Sequence, residues 1–202
     1  MPSQFISILT CVLLICALSI IFSCEKEHLQ PNIPGEPDPV VYVLARLGND
    51  SIRIAGGLDG YIGSTAVKDT LGFREFKFIL ANPHHPFNSS LHISINNHQN
   101  IMGDLQADLD HSVYTGTRHF QDSGHFIPLA ATVVWYNANG IKFTTRTLMQ
   151  PHPFSILDVE DVDFEGKTYK KTTVEFDSTL SDGHGHVLHL TNTRATILFG
   201  VN

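Results

Sequence analysis

The sequence predicts an antiparallel β-sandwich, and three observations carry that prediction. From Val40 onward, apolar residues recur at every second position in short runs separated by Gly, Asn, Asp and Pro. After Val40, no window of about twelve residues carries an apolar stripe at the 3.6-residue helical spacing. The chain has 202 residues, 42% hydrophobic and only 16% charged, which suits one globular domain with a substantial core.

The first strands follow from alternation. Ile52 and Ile54 flank Arg53; Phe76, Phe78 and Leu80 alternate with Lys77 and Ile79; Leu91, Ile93 and Ile95 alternate with His92 and Ser94. Residues 132–147 read as a hairpin. Asn139-Gly140 suits a two-residue type I′ turn because both positions tolerate positive φ. That register sets Tyr136 opposite Phe143 and Val134 opposite Thr145. It turns Trp135 to the face of Lys142, Thr144 and Arg146, where it packs on their aliphatic stems or offers an exposed platform to a sugar or peptide. Val174 and Phe176 begin another strand, Leu188 and Leu190 another, and Ala195, Ile197, Phe199 and Val201 form a last one with its odd-numbered side inward. About eight to eleven short strands result, arranged as an immunoglobulin-like or jelly-roll-like sandwich over residues 40–202.

Ahead of this domain, residues 1–23 contain no Asp, Glu, Lys, Arg or His. Their apolar stretch, Ile6 to Phe22, is roughly 17 residues long, at the lower edge of what spans a bilayer. It reads as a permanent anchor or as a cleaved export signal. The ending Ile21-Phe22-Ser23-Cys24 resembles a bacterial lipobox, in which an aliphatic residue, a variable one and a small one precede a cysteine. The resemblance implies diacylglycerol on the Cys24 thiol, cleavage before Cys24 and acylation of the new amine. Phe22 is bulkier than the usual occupant of its place.

The cysteines agree independently. All three, Cys11, Cys16 and Cys24, lie in the run or directly after it, so a chain cut before Cys24 keeps 179 residues and one thiol, with no internal disulfide. More than one acyl chain, of the palmitate kind, would hold it stably, since a single chain binds only marginally. Residues 24–39 then form a lipidated cysteine and a tether with four prolines, extended over roughly 45 Å. Glu25 and Glu27 resemble the surface-export signal of lipoproteins in the Bacteroidota, which implies display on the outer membrane of a Gram-negative cell.

The segments Ala55-Gly-Gly-Leu-Asp-Gly-Tyr-Ile-Gly63, Asp69-Thr-Leu-Gly-Phe-Arg-Glu-Phe76 and Leu91-His-Ile-Ser-Ile-Asn96 occur in that order. Lys171-Thr-Thr-Val-Glu-Phe-Asp-Ser-Thr-Leu180 and Leu188-His-Leu-Thr-Asn-Thr-Arg-Ala-Thr-Ile197 follow. Together they resemble an uncharacterised β-sandwich module of Bacteroidota lipoproteins, often found ahead of PKD-type domains. Thr70 stands where that module usually has Ser, and the first loop is one residue longer. The resemblance implies location and fold, and it brings no catalytic residues.

Charge and motif bound the function. Thirteen Lys and Arg against twenty Asp and Glu give a formal charge of −7, with the cations scattered, so nucleic acid is not the expected partner. There is no Gly-x-Ser-x-Gly elbow, His-Glu-x-x-His, Walker loop or dinucleotide fingerprint. A Ser–His–Asp set assembled in space stays open.

Among twelve histidines the densest group is Asp182-Gly-His184-Gly-His186-Val-Leu-His189. His184 and His186 share a face on a strand and could hold zinc with a carboxylate. His189 has the opposite parity, and a hairpin tip accounts for the segment better. Asp158, Glu160, Asp161 and Asp163, and Asp104, Asp108 and Asp110 in an expected loop, read as solvated charge ahead of a calcium site, which needs six to eight converging oxygens. His84 and His85, between Pro83 and Pro86, read as a stiff exposed turn.

The expected function is a lipid-anchored, non-catalytic binding or structural module, with no cofactor. Its partners are the membrane, through Cys24, and a protein or glycan that the sequence does not name. A metal-assisted hydrolase using His184 and His186 is the alternative, and a self-associating adhesin or pilus-type subunit a further one.

Overall fold

A computed structural model describes residues 40–70, 72–84, 89–98, 103–122, 127–164 and 166–201. Its strands are β1 (Tyr42–Leu47), β2 (Asp50–Ala55), β3 (Ile62–Thr70), β4 (Phe73–Ala81), β5 (Ser90–Asn97), β6 (Gly116–Arg118), β7 (Ala130–Tyr136), β8 (Lys142–Thr144), β9 (Phe154–Phe164), β10 (Lys167–Ser181) and β11 (Val187–Gly200). One helix, α1 (Leu105–Ser112), lies between β5 and β6.

Every strand pair is antiparallel, and the eleven strands form one unclosed sheet in the order β2-β1-β11-β10-β8-β7-β5-β4-β3, with β9 on β10 and β6 on β9. The expected all-β sandwich is therefore found. The sheet folds over where β10 meets β8, which share only the pair Ser181–Thr144. One layer is β2-β1-β11-β10-β9-β6 and the other is β8-β7-β5-β4-β3. At the opposite side, residues 119–121 leave β6 and bond to Ala131 at the start of β7, with Gln121 N–H donating to Ala131 O and Ala131 N–H to His119 O, each at 2.8 Å.

Alternation fills the interior. Phe76, Phe78 and Leu80 meet Ile95, Ile93 and Leu91 across β4 and β5, and all six are buried. From the other layer come Val43, Ile54, Val174, Phe176, Leu180, Leu190, Ala195, Ile197 and Phe199. Phe154 stacks on Phe176 with centroids 5.1 Å apart, and Phe120 sits edge-on to both. Such ring pairs contribute about 0.5–1.5 kcal/mol each beyond their burial.

On β11 the inward side changes from even (Leu190) to odd (Ala195, Ile197, Phe199). One extra residue must intervene, because a one-residue slip flips every side chain. The registers to both β1 and β10 shift there, and Asn192 takes a positive φ of 50°. Asp177 Oδ1 accepts the Asn192 N–H at 2.6 Å and stabilises this bulge.

Two sequence expectations are corrected. The hairpin of β7 and β8 pairs Tyr136 with Lys142, Trp135 with Phe143 and Val134 with Thr144, one residue away from the expected register. The Asn137 side chain accepts N–H bonds from Asn139 and Ile141, both at 2.9 Å, and only Gly140 needs a positive φ, so the loop has three residues. Trp135 consequently points into the core and is buried, and it offers no platform.

The second correction is α1. Asp104 caps it by accepting from Gln106 N–H and Ala107 N–H. Asp108 is fully buried against the Arg74 guanidinium, which also bonds Asp69 at 2.7 Å. Asp110 bonds Lys170 at 2.9 Å. These acids are thus a cap and two struts that tie the helix to β4 and β10, and their segment is not a loop.

Candidate functional site

The outer face of the β3-β4-β5-β7-β8 layer is built by the residues opposite in parity to the core. Cross-strand rows can be read directly from the pairing. Lys68, Glu75 and Asn96 form one row, and Ala66, Lys77, Ser94 and Thr132 the next. Ile79, His92, Val134 and Thr144 follow, and then Ser90, Tyr136 and Lys142. Arg146, in the 3-10 turn after β8, reaches back over this surface, its Nε donating to Thr132 Oγ1 at 3.4 Å.

The floor of the face is polar and closed. Ser94, Asn96 and Thr132 are buried, and Asn96 Nδ2 donates to Thr132 Oγ1 at 2.8 Å. Asn96 Oδ1 is buried without a hydrogen-bond donor among the described residues. Glu75 is buried as well, with Lys77 Nζ at 3.6 Å and Arg146 Nη2 at 3.7 Å from its Oε1, close enough for attraction but too long for good hydrogen bonds. Four cations, Lys68, Lys77, Lys142 and Arg146, thus share these rows with one carboxylate, Glu75, which Lys77 and Arg146 flank, in a chain whose formal charge is −7.

His92 reports that field. Burial, then the charges of Lys77 and Lys142, lower its pKa to about 4, against a smaller opposite pull from Glu75. Its ring lies 5.0 Å from that of Tyr136. The imidazole is therefore neutral at pH 7, and the face combines fixed cations, hydroxyl and amide groups, and two rings. Such a set has the chemistry to pair with polar, negatively charged groups.

The histidine-rich segment is a hairpin tip between β10 and β11, as the sequence reading favoured. The Asp182 carboxylate accepts from His184 N–H at 2.7 Å and His186 N–H at 3.1 Å, and meets His186 Nδ1 at 2.6 Å. The His186 contact, with these backbone donors, lowers the Asp182 pKa to about 2. One imidazole and the carboxylate are therefore engaged with each other in closing the tip. No group of three His, Cys, Asp or Glu able to hold a metal ion is gathered among the described residues.

The acids of β9 face a basic strand. Asp161 bonds Lys170 at 2.7 Å, Glu160 lies 3.4 Å from Lys171, and Asp163 accepts from Thr168 at 2.8 Å. Burial works against the Lys170 charge, but its bonds to Asp161 and Asp110 outweigh that and raise its pKa.

A serine, a histidine and an aspartate also line a cleft of about 190 Å³ beside the β11 bulge. They do not form a relay there. Ser178 is buried on the core side, His189 Nδ1 lies 3.2 Å from Thr179 Oγ1, and Asp177 holds the bulge. His84 donates its N–H to Asn82 Oδ1 in an exposed turn. Cys24, Glu25, Glu27 and His85 lie outside the described residues.

Sequence reasoning missed the basic face, since its residues come from five segments between 68 and 146 and only pairing unites them. The alternation did contain a signal: Lys68, Glu75, Lys77, His92, Ser94 and Asn96 all fall on the non-core parity of their strands. No family model matches the chain, and the comparisons with curated proteins and with solved structures found no match. The fold and this surface therefore define it as an all-β sandwich domain with a basic polar face.

Proposed function

We propose that the protein is a lipid-anchored lipoprotein of the cell envelope whose β-sandwich acts as a non-catalytic binding module. The observation that carries the anchor is the position of Cys24, directly after the uncharged apolar run and the small Ser23, with no cysteine beyond it. The thiol would take the diacylglycerol, and the Pro-rich residues 25–39 would hold the domain off the headgroups. The resemblance to Bacteroidota lipoproteins and the Glu25/Glu27 pair favour the outer surface of the outer membrane. The binding role is supported by the face around Asn96 and Arg146, where charged and hydrogen-bonding groups converge on a rigid sheet.

Cells expressing the full chain and supplied with a labelled fatty acid test the anchor. Label should enter the wild-type protein and be absent from Cys24→Ala, which should also keep its leader. Equal labelling of both, or of neither, would remove the lipoprotein reading.

A further inference from the structure

We propose that the outer face of β4, β5, β7 and β8 binds a carboxylate-bearing glycan, with Lys77, Lys142 and Arg146 pairing to its acid groups and Tyr136 and His92 lying against its sugar rings. This names the ligand class of the binding role above and rests on that role, not on lipidation.

Charge supplies the first reason. The cations of the face outnumber its carboxylate although the whole chain is acidic, and Lys77 and Arg146 hold Glu75 only at 3.6 and 3.7 Å. Bidentate pairing of Arg146 with a ligand carboxylate at ordinary hydrogen-bond distance is stronger than either present contact. Arg146 also holds Thr132 loosely, at 3.4 Å, so moving it breaks no strong bond.

Polar chemistry supplies the second. Arg146 Nε and Asn96 Nδ2 both approach Thr132 Oγ1, and Asn96 Oδ1, in the buried floor beside it, has no donor among the described residues. A sugar hydroxyl donates to such an oxygen. Ser90, Tyr136 and Thr144, none of them fully buried, offer hydroxyls in the rows of Lys142 and His92.

Shape supplies the third. The strands at the centre of this face, β5 and β7, are paired on both sides, so an extended peptide finds no free ladder to join. Flat rings beside hydroxyls and amides suit a pyranose, which presents a C–H face and a rim of hydroxyls.

The test uses the detergent-extracted full chain, its mass first measured, and calorimetry with a galacturonic-acid hexamer. The controls are a neutral galactose hexamer and a glutamate hexapeptide. The acidic sugar should bind, lose affinity as salt is raised, and bind about tenfold more weakly to Lys142→Glu/Arg146→Glu. Arg53→Glu, the same charge change on β2 in the other layer, should leave binding within about twofold. If the double variant melts early, Lys142→Glu alone, at an exposed position, must still weaken binding. No binding of the acidic hexamer, equal binding of the neutral one or of the peptide, or equal weakening by Arg53→Glu would each overturn the proposal. Failure to bind by a chain that carries acyl groups on Cys24 leaves the anchor standing; an unacylated chain that binds does the reverse.

Discussion

At the scale of single residues, the half-buried His92 and the buried Asp108 carry consequences that can be measured. His92 has an ordinary pKa near 6.5 when unfolded and about 4 in the fold, because burial and two lysines oppose its charge. Above pH 6.5 both states hold it neutral. Between about 6.5 and 4 the unfolded chain takes up a proton that the folded chain refuses, so stability falls as the pH is lowered through that window. His98 pulls the same way, through burial and Arg146, against its bond to Gln121. The melting temperature should therefore drop from pH 7 to pH 4.5, and His92→Gln should flatten much of that drop; an unchanged slope would contradict the placement of His92. Asp108 is the second case. It is fully buried on Arg74, itself buried, whose other charge partner among the described residues is the half-exposed Asp69. Asp108→Ala should cost about 3–5 kcal/mol in denaturant unfolding, since it strands a guanidinium in the interior. A loss below about 1 kcal/mol, typical of an exposed pair, would contradict that burial.

At the scale of elements, the strands were legible and the devices joining them were not. Phe76, Phe78 and Leu80, and Leu91, Ile93 and Ile95, announce their strands because each buries one face only. The helix left little trace: Leu109 and Val113 are its core contacts, four residues apart, and its aspartates look like loop acids until Arg74 and Lys170 appear beside them. The hairpin register departs from the expected one because the Asn137 side chain, and not the Asn-Gly pair, organises the turn. Nor does the sequence show how β10 is completed between its pairing with β9, which ends at Glu175, and its single pair with β8 at Ser181. There the Gln150 side chain replaces a strand. Its Nε2 donates to Thr179 O and its Oε1 accepts Thr179 N–H, both at 2.8 Å. Gln150→Ala leaves both backbone groups unpaired and should destabilise by about 1–3 kcal/mol. Amide exchange at Thr179 should quicken in that variant, and unchanged exchange would show the bond to be dispensable.

At the scale of the whole molecule, a domain cross-braced at several points carries a polar face that sequence order scatters and sheet pairing assembles. Arg74, Lys170 and Gln150 each join segments far apart in the chain, so the face between β3 and β8 is held on a rigid support. That rigidity suits recognition, because little ordering entropy is lost when a ligand lands on it. The proposed anchor rests on the sequence alone, on the twenty-four residues that end at Cys24. The intact mass of the membrane-extracted protein, beside that of Cys24→Ala, tests it most directly. A wild-type mass that begins at residue 24 and includes acyl chains, with an unprocessed variant, is the expected result. A wild-type mass that retains residues 1–23 and carries no lipid would contradict the lipoprotein reading and make the apolar run a signal anchor.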